Sequence, residues 1–156
     1  MSVNGFAAPD RSARPSPPDR LDRLLDRFEA LSREQTMALL VEFADQFPEL
    51  PARFTELASD ERYKIHECMT PVSLFSEVRE GRIYFFADVP KSAPTVRALL
   101  AIFTQALNGE PPESVLAIPP DYVSRLMRKV GLMTRERGLN AMVARMKRQA
   151  AEALAA

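Results

Sequence analysis

The chain has 156 residues, 46% of them hydrophobic and 27% charged, with 21 basic residues balanced by 21 acidic ones. This length corresponds to one domain able to bury an ordinary core, and the zero net charge argues against a protein that holds nucleic acid through its overall field. One Cys and one His exclude an internal disulfide and a four-ligand zinc site built from Cys and His.

Residues 1–18 carry Pro9, Pro15, Pro17 and Pro18 among small and charged residues. With no helix or strand period they read as a disordered, Pro-rich tail, not a docking arm, ahead of a single domain at 19–156. Asp10, Arg11 and Arg14 interrupt any signal-peptide pattern, and no apolar run is long enough to span a membrane. A cytoplasmic protein without a membrane partner is therefore expected, a compartment that suits a free thiol.

Leu21, Leu24, Leu25, Phe28 and Leu31 recur at spacings of three and four, one apolar stripe of a helix. Ser32 and Gln35 make a capping-box pattern opening a second helix, whose expected inner stripe is Met37, Leu40, Val41, Ala44 and Phe47. Pro48 and Pro51 end it. From Ala52 to Met69 the pattern is irregular, and Phe54, Leu57, Tyr63 and Ile65 are the expected anchors.

Val72, Leu74, Ser76 and Val78 alternate with Ser73, Phe75 and Glu77, the period of a strand, and Arg82 to Ala87 is rich in strand formers. With Glu80-Gly81 between them they form a β-hairpin. Helices resume with the apolar face Thr95, Val96, Leu99, Leu100, Phe103 and Leu107, which Asn108-Gly109 terminates. Pro111-Pro112 opens a helical turn carrying Val115 and Leu116. Pro119-Pro120-Asp121 opens another that carries Tyr122, Leu126 and Met127 and ends at Gly131. Thr134 is the expected cap of a last long helix with Leu139, Met142, Val143 and Met146 inside. The fold class is α+β, a small antiparallel β-sheet flanked by several helices.

Cys68 follows a polar stretch and precedes the first strand, a loop position suited to a nucleophile or carrier, although on position alone an inert, buried cysteine is the favoured reading. His66 lies close enough for a Cys/His pair, but no orienting third group accompanies it, and a solvated or capping role is the expectation. The glycines are too scattered for a phosphate-binding loop, and no metal motif occurs. Carboxylates such as Asp60-Glu61 read as solvated. Charge is nonetheless segregated. Residues 125–148 hold eight basic side chains against Glu136 alone, whereas residues 42–62 hold six acidic against two basic. The basic stretch reads as a solvated helix face or a steering surface for an acidic partner.

Three blocks resemble the SufE family of sulfur-acceptor proteins. Glu67-Cys68-Met69-Thr70-Pro71-Val72 sits where the family has Cys-Gln-Ser-x-Val. Asp88 to Leu99, containing Ala93-Pro94-Thr95-Val96-Arg97-Ala98, is similar to the family's Ala-x-x-Val-Lys/Arg-Gly-Leu at the start of a helix. Leu132 to Met142 resembles its Leu-Ser-Pro-Ser-Arg-x-x-Gly-Leu-x-Ala-Met block. In order and spacing the resemblance covers about residues 20–150.

The resemblance implies a SufE-like fold and a partner of a pyridoxal-phosphate (PLP) dependent cysteine desulfurase. Cys68 would accept sulfane sulfur as a persulfide and relay it to an iron–sulfur scaffold complex. Arg135, matching the family's Arg, would stand nearby. Only a thiolate attacks, and a guanidinium and a helix N-terminus both favour that form. A carrier of this kind, not a stand-alone enzyme, is expected to need no cofactor or metal of its own and to be a monomer or weak dimer. Its solitary thiol prevents loss of the persulfide to an internal disulfide. The sequence differs from the family pattern at Glu67 (Gly), Met69 (Gln), Ser73 (Trp), Ala98 (Gly) and Met133 (Pro). Those differences motivate an alternative, a non-transferring regulatory module that binds a desulfurase or another enzyme on the same fold. A nucleic-acid binder resting on the basic stretch is the weakest reading, for it lacks aromatic residues on which bases could stack.

Overall fold

In the computed structural model, which describes residues 18–156, the hairpin turn sets the register of the sheet. Strands β1 (Ser73–Arg79) and β2 (Arg82–Asp88) are joined by Glu80 and Gly81, both at positive φ (53° and 75°). A two-residue turn with both angles positive matches the right-handed twist of the strands it connects. It pairs Val78 with Ile83, Phe75 with Phe86 and Leu74 with Ala87. Leu74, Ile83, Phe85 and Ala87 thereby share the face turned to the core.

The opposite face is not left to solvent. Three short 3₁₀ turns, Ala52–Phe54, Glu56–Ser59 and Glu61–Tyr63, lie over it. The Phe54 and Tyr63 rings each sit 4.9 Å from Phe75, and Phe54 also lies 5.0 Å from Phe86. Arg53 donates two hydrogen bonds to the Glu77 carboxylate, at 2.6 and 2.9 Å, and holds that carboxyl below its usual range. The irregular segment is therefore the cover of the sheet. Phe75, on the face away from the helices, is buried under it.

Helix α1 (Asp19–Glu29) buries Leu21, Leu25 and Phe28. Ser32 and Gln35 form the expected capping box (Gln35 N–H to Ser32 Oγ 3.1 Å, Ser32 N–H to Gln35 Oε1 2.9 Å) and start α2 (Arg33–Asp45). The inner face of α2 is Thr36, Leu39 and Leu40, with Phe43 and Ala44 partly covered. Met37 and Val41, expected inside, are 49% and 58% exposed. Apolar residues at 37, 39, 40, 41 and 43 leave two stripes open on this helix, and packing against the next helix selects the one through Leu39.

That helix, α3 (Pro94–Leu107), is buried on nearly every side, from Val96 to Leu107, and not on one face only as the sequence suggested. Asn108 ends it, and Gly109 follows at φ 88°. The Asn108 carboxamide then pairs with β2: Oδ1 accepts from Phe85 N–H at 2.7 Å, and Nδ2 donates to the Phe85 carbonyl at 3.3 Å. Ile83 exchanges two 2.9 Å backbone bonds with Gly109 and Glu110.

Helix α4 (Pro112–Leu116) packs on α6 (Glu136–Ala155), and α5 (Tyr122–Val130) ends at Gly131, φ 73°. Thr134, expected as the cap of α6, lies instead in a 3₁₀ turn, Met133–Arg135; Arg135 is the N-cap, and no side chain caps the helix. Among the described residues the architecture is thus a two-stranded antiparallel sheet flanked by six α-helices, the expected α+β class. Residues 1–17 of the expected tail lie outside the described residues. No described helix is long and apolar enough to cross a membrane.

Tyr122 ties three helices together. Its hydroxyl donates to the Leu21 carbonyl at 2.7 Å, and its ring meets Phe103 edge-on at 5.9 Å. Burial pushes the phenol well above its usual range. Tyr122→Phe is expected to lower stability by about 1 kcal/mol at neutral pH, the net value of one hydrogen bond. A raised folded-state pKa contributes stability that is complete below the unfolded value, about 10, and is lost as pH rises through the folded-state range. Urea midpoints measured against pH are therefore expected to fall above pH ~10 in the wild type. The deficit of Tyr122→Phe narrows there.

Candidate functional site

Cys68 lies in the middle of a loop closed at its base. Ile65 N–H donates to the Val72 carbonyl at 2.9 Å, and Lys64 bridges Ser73 just outside it. Helix α6 holds both approaches. Arg145 donates to the carbonyls of Arg62 (2.9 Å) and Lys64 (3.3 Å), and Gln149, one turn further on, donates to Leu74 at 3.1 Å. Ser73 Oγ adds a bond to the Ala58 carbonyl at 2.9 Å. A short loop whose ends are fixed this closely has little freedom except at its tip.

The tip rests on α6. A β-carbon at Gly138 would stand 3.4 Å from Cys68 Sγ and 3.5 Å from its Cα and Cβ. The glycine, in the first turn of α6, is what admits the cysteine so close. The thiol is free and half-buried, and it borders a cavity of about 190 Å³. Val96 and Leu99 of α3 and Leu139 and Met142 of α6 make the cavity apolar. Glu67 of the loop, with Thr134 and Arg135 just before α6 and Arg137 in its first turn, makes it polar at other points of its lining, and Met69 of the loop borders it as well. Among the described residues no ion pair or hydrogen bond engages the side chains of Arg135, Arg137 or Glu67.

The structure thus brings together the two residues singled out in the sequence, Cys68 and Arg135. It adds Arg137, Gly138 and the apolar wall, which were not singled out. Arg137 and Gly138 do fall within the third family-like block, but only the tertiary approach of the loop reveals what they touch. His66 is engaged elsewhere: its Nε2 lies 3.3 Å from Glu61 Oε2, and with Glu61 it borders a shallower groove that Cys68 also touches. Glu61 is held below its usual range chiefly by the hydrogen bond from Lys64. Among the described residues no three His, Cys, Asp or Glu side chains converge as a metal-holding group.

Chemically, a half-buried thiol faces an apolar wall with two guanidiniums and the uncapped start of α6 beside it. The apolar wall limits water around the sulfur. Much of the basic stretch serves other ends. Lys129 pairs with Glu29 at 2.7 Å, Lys147 donates to the Ile118 carbonyl at 2.6 Å, and Arg145 is used by the loop.

A family model described as SufE, Fe-S metabolism associated domain, matches residues 22–150. The chain belongs to the SufE family. Two uncharacterized SufE-like proteins from strains of Mycobacterium tuberculosis are each 31% identical over 144 residues, spanning 91% of this chain and 99% of the relative. An uncharacterized SufE-like protein of Synechocystis is 26% identical over 69 residues, 44% of this chain and 42% of its own length. The solution structure of a hypothetical protein from Thermus thermophilus superposes with a TM-score of 0.76 at 32% identity, covering 90% of this chain and 99% of that one. The SufE family is associated with iron–sulfur metabolism, and that association extends to this chain.

Two substitutions test the seating of the loop. Gly138→Ala places a methyl at ordinary contact distance and removes a helical glycine, so it is expected to melt at or slightly above the wild-type temperature. Gly138→Leu overfills the site, at a cost of about 1–3 kcal/mol, and lifts the loop, so Cys68 reacts several-fold faster with a disulfide reagent. Wild-type stability and thiol reactivity in the Leu variant would show that the contact does not hold the loop. Arg145→Ala removes two bonds to loop-side carbonyls. The Ile65 amide is expected to exchange hydrogen at least tenfold faster, as loss of about 1.4 kcal/mol of local stability requires.

Proposed function

We propose that this SufE-family chain is the sulfur-accepting partner of a PLP-dependent cysteine desulfurase, with Cys68 as the acceptor. The observation that carries the reading is the position of the free thiol: at the tip of a fixed loop, half-buried, on a cavity that also holds Arg135 and Arg137. Family membership supports the assignment to iron–sulfur metabolism. The pyridoxal phosphate belongs to the partner.

The transfer is redox-neutral. The Cys68 thiolate attacks the terminal sulfur of the donor's Cys–S–SH. A new bond forms from Cys68 Sγ to that sulfur, the donor's S–S bond breaks, and the donor cysteine leaves as its thiolate. The proton stays on the transferred sulfur or is lost to solvent. The guanidiniums of Arg135 and Arg137 offset negative charge on the attacking and product sulfur anions. The apolar residues Val96, Leu99, Leu139 and Met142 shelter the persulfide from water and from competing thiols. Discharge to the iron–sulfur scaffold repeats the same exchange with this chain as donor.

Incubation with a cysteine desulfurase and sulfur-labelled cysteine is expected to put label, removable by a reducing thiol, on the wild-type chain and none on Cys68→Ser. Arg135→Ala is expected to slow labelling by about two orders of magnitude, the lower end of what losing one preorganised charge-stabilising group costs. Equal labelling of Cys68→Ser would sink the acceptor role. Stimulation of desulfurase turnover that survives in Cys68→Ser would point to the regulatory alternative.

A further inference from the structure

Among the described residues the two most exposed large apolar side chains are Met69, 100% exposed, and Met133, 62% exposed. Scattered exposed apolar residues need no explanation. These two are not scattered. Met69 lines the Cys68 cavity, and Met133 immediately precedes Thr134 and Arg135, which also line it. They come from segments far apart in sequence, one lining the cavity and the other next in the chain to residues that line it. Both also stand where this chain differs from the family pattern, which has Gln and Pro.

Neither side chain is part of the core, so their exposure adds nothing to the fold. Arg135 and Arg137 beside them are equally uncommitted. Exposed Met and Arg without internal partners are the residue types enriched where proteins meet, and Met, unbranched and polarisable, packs into irregular apolar sockets. The unpaired guanidiniums call for carboxylates opposite. No residue lining the cavity is aromatic, so a single-stranded nucleic acid has no stacking surface there. A membrane would need a broad apolar face with a polybasic surround, whereas Glu67 stands in this mouth.

We infer that the mouth of the Cys68 cavity is a docking surface on which Met69 and Met133 are the anchoring contacts. Its occupant is the cysteine desulfurase, presenting an apolar socket flanked by acidic side chains that meet Arg135 and Arg137. This inference rests on the function proposed above and adds which residues select the partner. The Met pair holds the complex, and the Arg pair steers its formation.

Association and dissociation rates with the source organism's cysteine desulfurase, measured for the wild-type chain, Met69→Gln/Met133→Gln and Arg135→Gln/Arg137→Gln, test it. All three chains are expected to share one melting temperature, since the changed side chains are exposed. The Met variant is expected to raise Kd at least tenfold, through faster dissociation. The Arg variant slows association, and its deficit shrinks as salt is added. Wild-type affinity and dissociation in the Met variant overturns the inference. So does Met-dependent binding of a single-stranded oligonucleotide or an anionic vesicle in place of the enzyme. Sulfur uptake on Cys68 with no effect of the Met substitutions defeats the docking inference alone. Met-dependent docking with undiminished labelling of Cys68→Ser defeats the acceptor role alone.

Discussion

The site depends on one constraint, the closure of the Cys68 loop against α6. The bond from Ile65 to Val72 joins the ends of the loop, Arg145 and Gln149 hold the backbone on either side of it, and the missing side chain of Gly138 receives its tip. Each contact is modest, since a net hydrogen bond is worth about 1 kcal/mol. Acting on one short stretch they fix the base, while the tip is held by packing alone. The division suits the sulfur-accepting role proposed for this thiol: its position is set, and only packing need yield for the tip to move.

The rest of the fold provides the rigid bodies between which that loop is strung. Helix α3 is enclosed on nearly all sides and carries Val96 and Leu99 to the cavity wall. Helix α6, with Arg135 at its N-cap, carries the basic rim, the glycine seat and the two clamps. The sheet, only two strands wide, is stiffened by the aromatic cover of Phe54 and Tyr63 and by the Arg53–Glu77 pair. A change in how α6 packs would therefore move the seat, the rim and the clamps together.

What could be read from the sequence was local in origin. The Ser32/Gln35 capping box, the Glu80-Gly81 turn and the helix ends at Asn108 and Gly131 each depend on a few neighbouring residues, and each stands in the structure. The inner face of α2 was not legible, because apolar residues from Met37 to Phe43 allow two stripes and the choice belongs to packing with α3. Thr134 had the right chemistry for a cap, but the chain makes a 3₁₀ turn through it first. At the site, Cys68 stood out by being the sole cysteine and Arg135 through its family-like block. Arg145 was hidden among basic residues of a solvated-looking stretch, because its partners, the carbonyls of Arg62 and Lys64, lie more than 80 positions away.

The Asn108 carboxamide on β2 has a consequence for how other chains can approach. A strand edge normally offers a row of unpaired N–H and C=O groups that an incoming peptide can extend. Here Asn108, Gly109 and Glu110 occupy those positions at Phe85 and Ile83. Growth of the sheet from that side is closed off within the chain itself. A sheet this small would otherwise be an open template, for legitimate partners and for misassembled copies alike. Recognition along β2 is left to side chains and surface shape, and a chain approaching that edge finds it already paired.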